Sequence, residues 1–247
     1  MNRFFVKKEN VLADEIIINN PEDIHHITRV LRLKEGAVFD VSDSEEWEYS
    51  VKLTSVSGNE IRSKIFDKQK FSSEPGLKVT LFQGIPKQGK MENIIQKSVE
   101  LGVYSIIPVF TARTVVSRNE NFAGKIERWQ KVAGEAVKQC GRGIIPKVEK
   151  EISFSDMINL FNLQKFDVVL FPYENEEGYS IKSVLRNLKE KPQTLAIVIG
   201  PEGGFSDEEA EALKKSGADS VSLGKTILRT ETAGPAAIAM TMYELEL

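Results

Sequence analysis

After residue 77, short apolar runs alternate with amphipathic stretches of helical length, and this alternation constrains the fold more than any other feature. Runs with the length and β-branched content of buried strands occupy 77–83, 105–110, 166–171, 195–199 and 220–223. Parallel strands need helix-length crossovers, so strands that alternate with helices build a mostly parallel sheet. The sequence therefore predicts an α/β domain for the C-terminal two thirds of the chain.

The helices between these strands are also recognisable. Apolar residues recur at helical spacing in 87–101 and in 125–140. The run Ser-Asp-Glu-Glu at 206–209 is a capping box, which predicts a helix that ends near residue 216. A last helix follows Arg229, and either Thr230 or Thr232 is of the right type to cap it.

The N-terminal part has a different pattern, with short strands separated by Gly, Asn and Asp turns. The candidate strands are 3–6, 15–18, 37–41, 47–56 and 60–66. One helix is predicted at 21–33, and the polar stretch 67–76 is the best linker candidate. We therefore expect a small β-barrel or sandwich in 1–72 and the α/β domain in 73–247.

Composition excludes several classes of protein. The chain has 247 residues and one cysteine, Cys140, which cannot form an internal disulfide. No apolar run reaches the roughly 18 residues of a membrane helix, and the N-terminus lacks the apolar core of a signal peptide. The two histidines, His25 and His26, are too few for a multi-histidine zinc site. We expect a cytoplasmic protein with no metal and no membrane partner.

The net charge of −3 by itself argues against a dedicated nucleic-acid binder. The charge is unevenly distributed, however. Residues 84–147 contain eleven Lys and Arg against five Glu, a net charge of +6, whereas residues 148–247 carry −7. A concentrated positive segment suggests an anionic partner such as RNA. The alternative is that these Lys and Arg side chains are simply exposed to solvent on the outer faces of two helices, and this explains the charge pattern at least as well.

The stretch 199–206, Ile-Gly-Pro-Glu-Gly-Gly-Phe-Ser, joins a predicted strand to a capped helix. Ligands of α/β proteins bind beyond the carboxyl ends of the strands, and glycines let the backbone approach a ligand closely. The spacing matches neither the dinucleotide fingerprint nor the phosphate-binding loop of nucleotide hydrolases. A tight strand-to-helix turn without a ligand is the alternative.

A second candidate loop, 223–233, places Arg229 and Glu231 beside the apolar pair Ile227-Leu228. A third strand end, 171–174, has an equivalent place in the predicted sheet. A helix cap with a solvated ion pair would explain the second loop without a ligand. Each of these loops is ambiguous when it is considered singly.

Taken together, the motifs resemble the ribosomal RNA small subunit methyltransferase E family. The resemblance is carried by 28–36, 87–102, 127–142, 199–206 and 223–233. Two of these motifs in this order are specific for the family. The first is Gly-Pro-Glu-Gly-Gly, and the second, downstream, is Leu-Gly-x-x-Ile-Leu-Arg-x-Glu-Thr-Ala. The chain departs from the family at two positions, since Thr226 and Cys140 stand where Arg and Ser are common.

The resemblance implies both a fold and partners. The family belongs to the SPOUT superfamily, so it implies a C-terminal α/β domain with a deep trefoil knot and an N-terminal PUA-like β-barrel. It also implies a homodimer in which each cofactor pocket lies next to the partner subunit. Members methylate N3 of a uridine in 16S rRNA, which makes the small ribosomal subunit the expected partner.

The resemblance further implies S-adenosylmethionine as methyl donor and S-adenosylhomocysteine as product. The residues expected to bind the cofactor are Phe171, Pro172, Glu174, Ile199, Gly200, Pro201, Glu202, Gly203, Gly204, Leu223, Gly224, Ile227, Leu228, Arg229, Thr232 and Ala233. RNA contacts are expected from Arg29, Arg32, Lys34, Lys87, Lys90, Arg113, Lys138 and Arg142. Among catalytic residues, we expect Arg229 to stabilise developing charge and Glu202 or Glu231 to accept the uridine proton.

Two other functions remain open from the sequence. The first is a SPOUT methyltransferase that acts on transfer RNA or on another ribosomal position, with a similar cofactor site. The second is an RNA-binding or ribosome assembly factor that has lost catalysis. The intact glycine-rich loop and the Arg-Thr-Glu-Thr-Ala stretch that begins at Arg229 speak against loss of catalysis.

Overall fold

The computed structural model describes residues 3–71, 74–87, 89–117, 122–163 and 165–246. These residues form two compact units. The first contains the described residues up to Glu74 together with Val137–Ile145, and the second contains those of Pro75–Ala136 and Pro146–Leu247. The boundary predicted between residues 72 and 73 lies outside the described residues.

The first unit contains a five-stranded sheet. Its strands are β1 (Arg3–Phe5), β2 (Glu15–Ile18), β3 (Val38–Ser42), β4 (Trp47–Ser57) and β5 (Glu60–Lys70), in the spatial order β1-β3-β4-β5-β2. All pairs are antiparallel except β1 with β3. Alternate residues such as Ile16 and Ile18 are fully buried, as expected for strands with one face on the core. The linker predicted at 67–76 is wrong in its first four residues, because β5 continues through Lys70 and pairs with β4.

The helix predicted at 21–33 is shorter and changes its geometry. Helix α1 (Pro21–His25) is capped by the Asn20 side chain, which accepts hydrogen bonds from the amides of Glu22 and Asp23. A π-helical turn, His26–Val30, follows it. The wider turn rotates the apolar face, so that Val30 is 61% exposed although the helical pattern predicts it on the buried side.

Residues 137–145 return to the first unit and are held there by Glu74. The carboxylate of Glu74 forms an ion pair with Arg142 (Oε2 to Nη2, 2.7 Å) and accepts the amides of Gly143 and Ile144. The Ser42 hydroxyl donates to the carbonyl of Gly143 at 2.6 Å. The fold of the first unit therefore depends on a segment that lies far away in the sequence.

The second unit is built on a sheet in which every strand pair is parallel. Its strands are β6 (Lys78–Gly84), β7 (Ser105–Phe110), β8 (Lys147–Val148), β9 (Ile152–Ser153), β10 (Val168–Pro172), β11 (Thr194–Ile199) and β12 (Asp219–Val221). They lie in the order β12-β10-β11-β6-β7-β8, and β9 also pairs with β7. The α/β prediction is confirmed, although the two-residue strands β8 and β9 were not predicted.

Six helices begin within the described residues of the second unit. They are α2 (Lys90–Glu100), α3 (Phe122–Cys140), α4 (Phe154–Asn162), α5 (Ile181–Arg186), α6 (Asp207–Lys215) and α7 (Thr230–Leu245). Of these, α4 and α5 were not predicted. The capping box of α6 is confirmed, with Ser206 and Glu209 each accepting the backbone amide of the other. In the described part of the chain, no helix is both long and apolar enough to cross a bilayer.

The strand order brings three strand ends to one place. Strand β10 lies between β11 and β12, and β11 in turn lies beside β6. The chain leaves β6 towards β7 and β8 and later returns on the opposite side, which makes β6 and β11 a topological switch point. Because the strands are parallel, the loops that follow β10, β11 and β12 all emerge at the same edge of the sheet.

We expect Glu74→Ala to lower the free energy of unfolding by about 3 kcal/mol, because it removes the carboxylate that pairs with a buried guanidinium and accepts two backbone amides. The side chains of Arg142 and Glu74 are only 8% and 12% exposed. Chemical denaturation of the full chain measures the change. The control is Glu9→Ala, which removes an exposed pair with Lys7 and should change stability by less than about 1 kcal/mol. Equal effects of the two variants would contradict the role given to Glu74.

Candidate active site

The three loops at the edge of the parallel sheet enclose two adjoining cavities. The first has a volume of about 480 Å³ and the second about 700 Å³. Both are lined by Pro172, Glu174, Ile227, Leu228 and Ala233. The pair Ile227-Leu228 therefore stands where the cavities meet, and the Ile227 side chain is 83% exposed. An aliphatic side chain so exposed at a cavity wall is available to pack on a ligand.

Nearly all of the residues predicted to bind a cofactor line one or other of these cavities. The exceptions are Phe171, which is fully buried directly before Pro172, and Thr232, which is exposed on the first turn of α7. The first cavity also contains three residues that the sequence did not assign to cofactor binding. These are Lys90, Phe205 and Thr230.

Close contacts favour glycine in the loop after β11 and at the end of the adjoining strand β6, and a positive φ favours it at Gly204. A Cβ at Gly204 would lie 2.8 Å from Oε1 of Glu174, and the backbone there has a positive φ of 67°. A Cβ at Gly200 would approach the Gly204 carbonyl carbon to 3.1 Å. Gly84, at the end of β6, would place a Cβ 2.6 Å from the nitrogen of Pro201. Larger residues would therefore displace the loop that forms the cavity wall.

Thr230 connects this loop to the neighbouring strand. Its hydroxyl donates to the carbonyl of Gly200 at 2.7 Å and accepts a hydrogen bond from Nε2 of Gln83 at 2.9 Å. The prediction that Thr230 or Thr232 caps α7 is wrong, because the N-cap is Arg229 and no side chain caps the helix. Instead of capping α7, the hydroxyl of Thr230 joins that helix to β6 and to the glycine-rich loop.

A lysine bridges the two carboxylates proposed as proton acceptors. The Nζ atom of Lys90 lies 3.0 Å from Oε1 of Glu202 and 3.2 Å from Oε2 of Glu231. The backbone amide of Lys87 also donates to Glu202, at 3.0 Å to Oε1. Lys90 was predicted to contact RNA, but the structure places it inside the site as the shared partner of two acids.

This arrangement determines the charge state of the cluster. Partial burial opposes ionisation of Glu202, but hydrogen bonds from its own amide, from Lys90 and from the Lys87 amide outweigh burial and lower its pKa. The pKa of Glu231 is lowered by its own backbone amide and, to a smaller extent, by Lys90. The hydrogen bonds to Glu202 and Glu231 raise the pKa of Lys90. At neutral pH both acids are therefore carboxylates and weak bases.

Arg229 is the cation of the first cavity that is available to a ligand. Its side chain is exposed, and among the described residues its guanidinium has no hydrogen-bonded or ion-paired partner. Arg229 nevertheless contributes to the low pKa of Glu231 through its charge. A guanidinium presents several donors in a fixed plane, which suits it to bind an oxygen that gains negative charge.

Comparison with known proteins gives this geometry its context. Residues 73–242 match the model of an RNA methyltransferase domain, and residues 18–66 match that of an RNA methyltransferase PUA domain. The chain is 34% identical to the ribosomal RNA small subunit methyltransferase E of Bacillus subtilis, over 100% of this chain and 98% of that protein. The chain belongs to this methyltransferase family. The resemblance inferred from the motifs is thereby confirmed.

Solved structures of relatives agree with this family membership. The methyltransferase E of Neisseria gonorrhoeae, crystallised with S-adenosylmethionine, is 28% identical and superposes with a TM-score of 0.83 over 98% of this chain and 97% of that one. A putative Legionella pneumophila methyltransferase with the same bound cofactor is 29% identical, with a TM-score of 0.82 over 98% of this chain and 96% of that one.

The residues predicted to contact RNA in this member of the methyltransferase E family fall into different environments. Arg29, Arg32, Lys34 and Lys87 are exposed. Arg113 is also exposed, and its Nη1 donates to the carbonyl of Gly203 at 2.8 Å, so it supports the glycine-rich loop.

Two further residues predicted to contact RNA lie in the first unit. Lys138 is ion-paired with Asp23 at 3.7 Å. Arg142 is 7% exposed and bound to Glu74, so the structure does not support an RNA contact for it.

No cluster suited to a metal ion occurs within the five described ranges, where no three or more of the residue types His, Cys, Asp and Glu converge. The cations Lys90 and Arg229 line the first cavity, and Lys90 is ion-paired with Glu202 and Glu231.

We expect Thr230→Val to lower the free energy of unfolding by about 1–3 kcal/mol, because it leaves the Gly200 carbonyl and the Gln83 amide without their shared partner. Valine has nearly the same shape as threonine, so the packing is preserved. Denaturant titration measures the difference. Thr232→Val, two residues along the helix at an exposed position, is the matched control. A loss of stability in the control equal to that in Thr230→Val would contradict the bridging role.

A pH dependence follows from the lowered pKa of Glu202. A carboxyl with a lowered folded-state pKa stabilises the fold above its ordinary pKa, near 4.5, and loses this contribution as the pH falls through the lower folded-state value. We therefore expect Glu202→Gln to be less stable than the parent at pH 7 and the difference to narrow below about pH 4.5. Unfolding titrations across this range test the expectation, with the exposed Glu177→Gln as control. A difference that stays constant with pH would contradict it.

Proposed function

We propose that this chain transfers the methyl group of S-adenosylmethionine to N3 of a uridine in the 16S rRNA of the small ribosomal subunit. The observation that carries the proposal is the exposed guanidinium of Arg229, which is unpaired among the described residues, at the wall of a cavity that is also lined by the exposed aliphatic side chain of Ile227. The names of the relatives and the cofactor bound in two of them support the choice of donor and RNA.

The residues present fit the methyl donor. The two cavities lie in the range typical of ligand and cofactor sites, and they meet at Ile227-Leu228. The exposed aliphatic side chain of Ile227 can pack on the adenine, while backbone groups at Leu223, Ile227 and Leu228 can bind the ring edge. The close approach of Gly200 and Gly204 leaves room beside the loop for ribose and methionine.

The charge of the second cavity also suits this donor. Glu174, Glu176 and Glu177 line it, and Lys225 is the cation among its lining residues. The pKa of Glu176 is lowered by the nearby Ser220 hydroxyl and by the amides of Gly178 and Tyr179, whose hydrogen bonds its carboxylate accepts. The carboxylates of the second cavity attract the positively charged donor. The target base then binds in the first cavity, beside Arg229.

S-adenosylmethionine would supply a methyl group on a sulfonium, from which the neutral thioether of S-adenosylhomocysteine departs as a good leaving group. Transfer breaks the sulfur–methyl bond and forms the N3–methyl bond, with the N3 proton going to the Glu202–Glu231 pair and then to solvent. Because the pKa values of both acids are lowered, they are weak bases. Arg229 must therefore supply most of the assistance, by stabilising negative charge on the uracil as N3 loses its proton.

Lys90 keeps the two carboxylates ionised and in place beside the reacting base. Its bonds to Glu202 and Glu231 join the loop after β11 to the start of α7, which are the two segments that carry the proposed catalytic groups. An in-line transfer mainly requires that donor and acceptor are aligned. The site achieves this alignment chiefly by holding these backbone segments together.

The finer parts of the fold follow the resemblance to the SPOUT superfamily. We propose a deep trefoil knot in the second unit, a PUA-like barrel in the first, and a homodimer with each cofactor pocket beside the partner subunit. Support for the dimer comes from α7, where Met240 and Tyr243 are exposed although the opposite side of the helix is buried. A helix that is apolar on both sides is typical of one covered on both sides. A ribosomal RNA substrate fits a cytoplasmic location.

The decisive experiment incubates the protein with labelled S-adenosylmethionine and small ribosomal subunits that lack the modification. Mass mapping of the RNA should then show N3-methyluridine at one position. Label confined to transfer RNA would replace the proposed substrate with the first alternative. No detectable binding of the methyl donor would favour the non-catalytic RNA-binding alternative.

We expect Arg229→Gln to lower kcat by about 100-fold to 1,000-fold while the donor Kd changes by only a few-fold, because the guanidinium acts on charge that develops during the reaction. Single-turnover methyl transfer and calorimetric binding of the donor measure the two effects separately. The control Lys182→Gln removes an exposed cation of α5 outside both cavities and should leave kcat unchanged. Activity of Arg229→Gln within a few-fold of the parent would remove Arg229 from catalysis.

A further inference from the structure

A third cavity lies beside the first, and the proposed chemistry does not use it. Its volume is about 440 Å³, and all of its lining residues belong to the second unit. Gly89 and Met91 line this cavity, whereas Lys90 between them lines the first. Lys87 lines it too, and the amide of Lys87 is bound to Glu202 of the first cavity. The two cavities are therefore separated by little more than one stretch of backbone.

The third cavity has an apolar floor and one exposed apolar wall. Ile85 and Met91 are each 2% exposed, and Trp129 is 5% exposed. Val115 stands at the wall with 75% of its surface exposed. An apolar surface of this kind can pack against the face of a nucleobase, and such packing depends little on which base is bound.

The rim of the same cavity is positively charged. Lys87, Lys125 and Arg128 line it, and Glu92 is the acid among the lining residues. The Nε atom of Arg128 lies 3.2 Å from Oε1 of Glu92, which orients the guanidinium along the rim. These residues belong to the segment 84–147, whose net charge is +6 in a chain of net charge −3. Cations around an apolar floor match the phosphate and base of a nucleotide.

We propose that the third cavity binds a nucleotide that adjoins the target uridine in a single-stranded RNA. Its base lies against Val115 and the apolar floor, and its phosphate is bound by Lys125 and Arg128. This inference rests on the proposed function, because it takes the first cavity to hold the target base. The backbone at Lys87 and Lys90, which lies between the first and third cavities, would then separate two consecutive bases of the bound RNA. The target uracil would therefore lie unstacked in the first cavity.

The test measures the affinity of the full-length protein for a short oligouridylate over a range of salt concentrations. We expect Lys125→Gln and Arg128→Gln each to weaken binding about tenfold and to lower the salt slope by about one. In methyl transfer to small subunits, KM should rise while kcat and the donor Kd are retained. The matched control is Lys97→Gln, which removes an exposed cation of α2 that does not line the cavity and should change none of these quantities.

Oligouridylate affinity and salt slope within twofold of the parent for both variants would overturn the inference. A second variant, Val115→Asp, places a negative charge on the wall and should reduce oligouridylate binding without changing the sedimentation behaviour. If Val115→Asp alters the oligomeric state instead, the cavity belongs to an interface between copies of the chain and the inference is wrong. If the parent protein binds oligouridylate through this cavity but methylates no RNA, the proposed function fails while the binding site stands.

Discussion

The hydroxyl of Thr230 is the contact on which the site depends most. It joins the carbonyl of Gly200 to the amide of Gln83, and thereby connects the glycine-rich loop, the central strand β6 and the start of α7. Residues that lie far apart in the chain are held at one edge of the sheet by a single buried group. Because buried polar groups are costly without partners, this bridge also makes alternative loop positions unfavourable.

Charge organises the site around that bridge. Lys90 is ion-paired with both Glu202 and Glu231, and Arg229 is the other cation among the residues that line the first cavity. The second cavity carries an acidic wall, whereas the third carries cations around an apolar floor. The net charge of −3 therefore says little about the partner, because opposite charges are separated over adjoining cavities that would serve a cationic donor and an anionic RNA.

Much of the fold could be predicted because its signals are local. The runs that became β6, β7 and β11 were located within one residue or matched outright, since strands buried on both faces of a parallel sheet read as continuous apolar segments. The capping box at Ser206 predicted the start of α6 for an equally local reason. By contrast, β8 and β9 are two residues long, and the π-helical turn after α1 has no sequence pattern of its own.

The sequence by itself determined the parallel α/β domain, the glycine-rich loops and the family, because periodicity, turn residues and motif order are properties of neighbouring residues. Only the tertiary structure decided that Lys90 pairs with two acids of the site, and that Arg142 is buried against Glu74. The same holds for the role of Thr230, whose hydroxyl bonds across the sheet instead of capping its own helix. These partners are distant in the chain, and only folding brings their charges and hydrogen-bonding groups together.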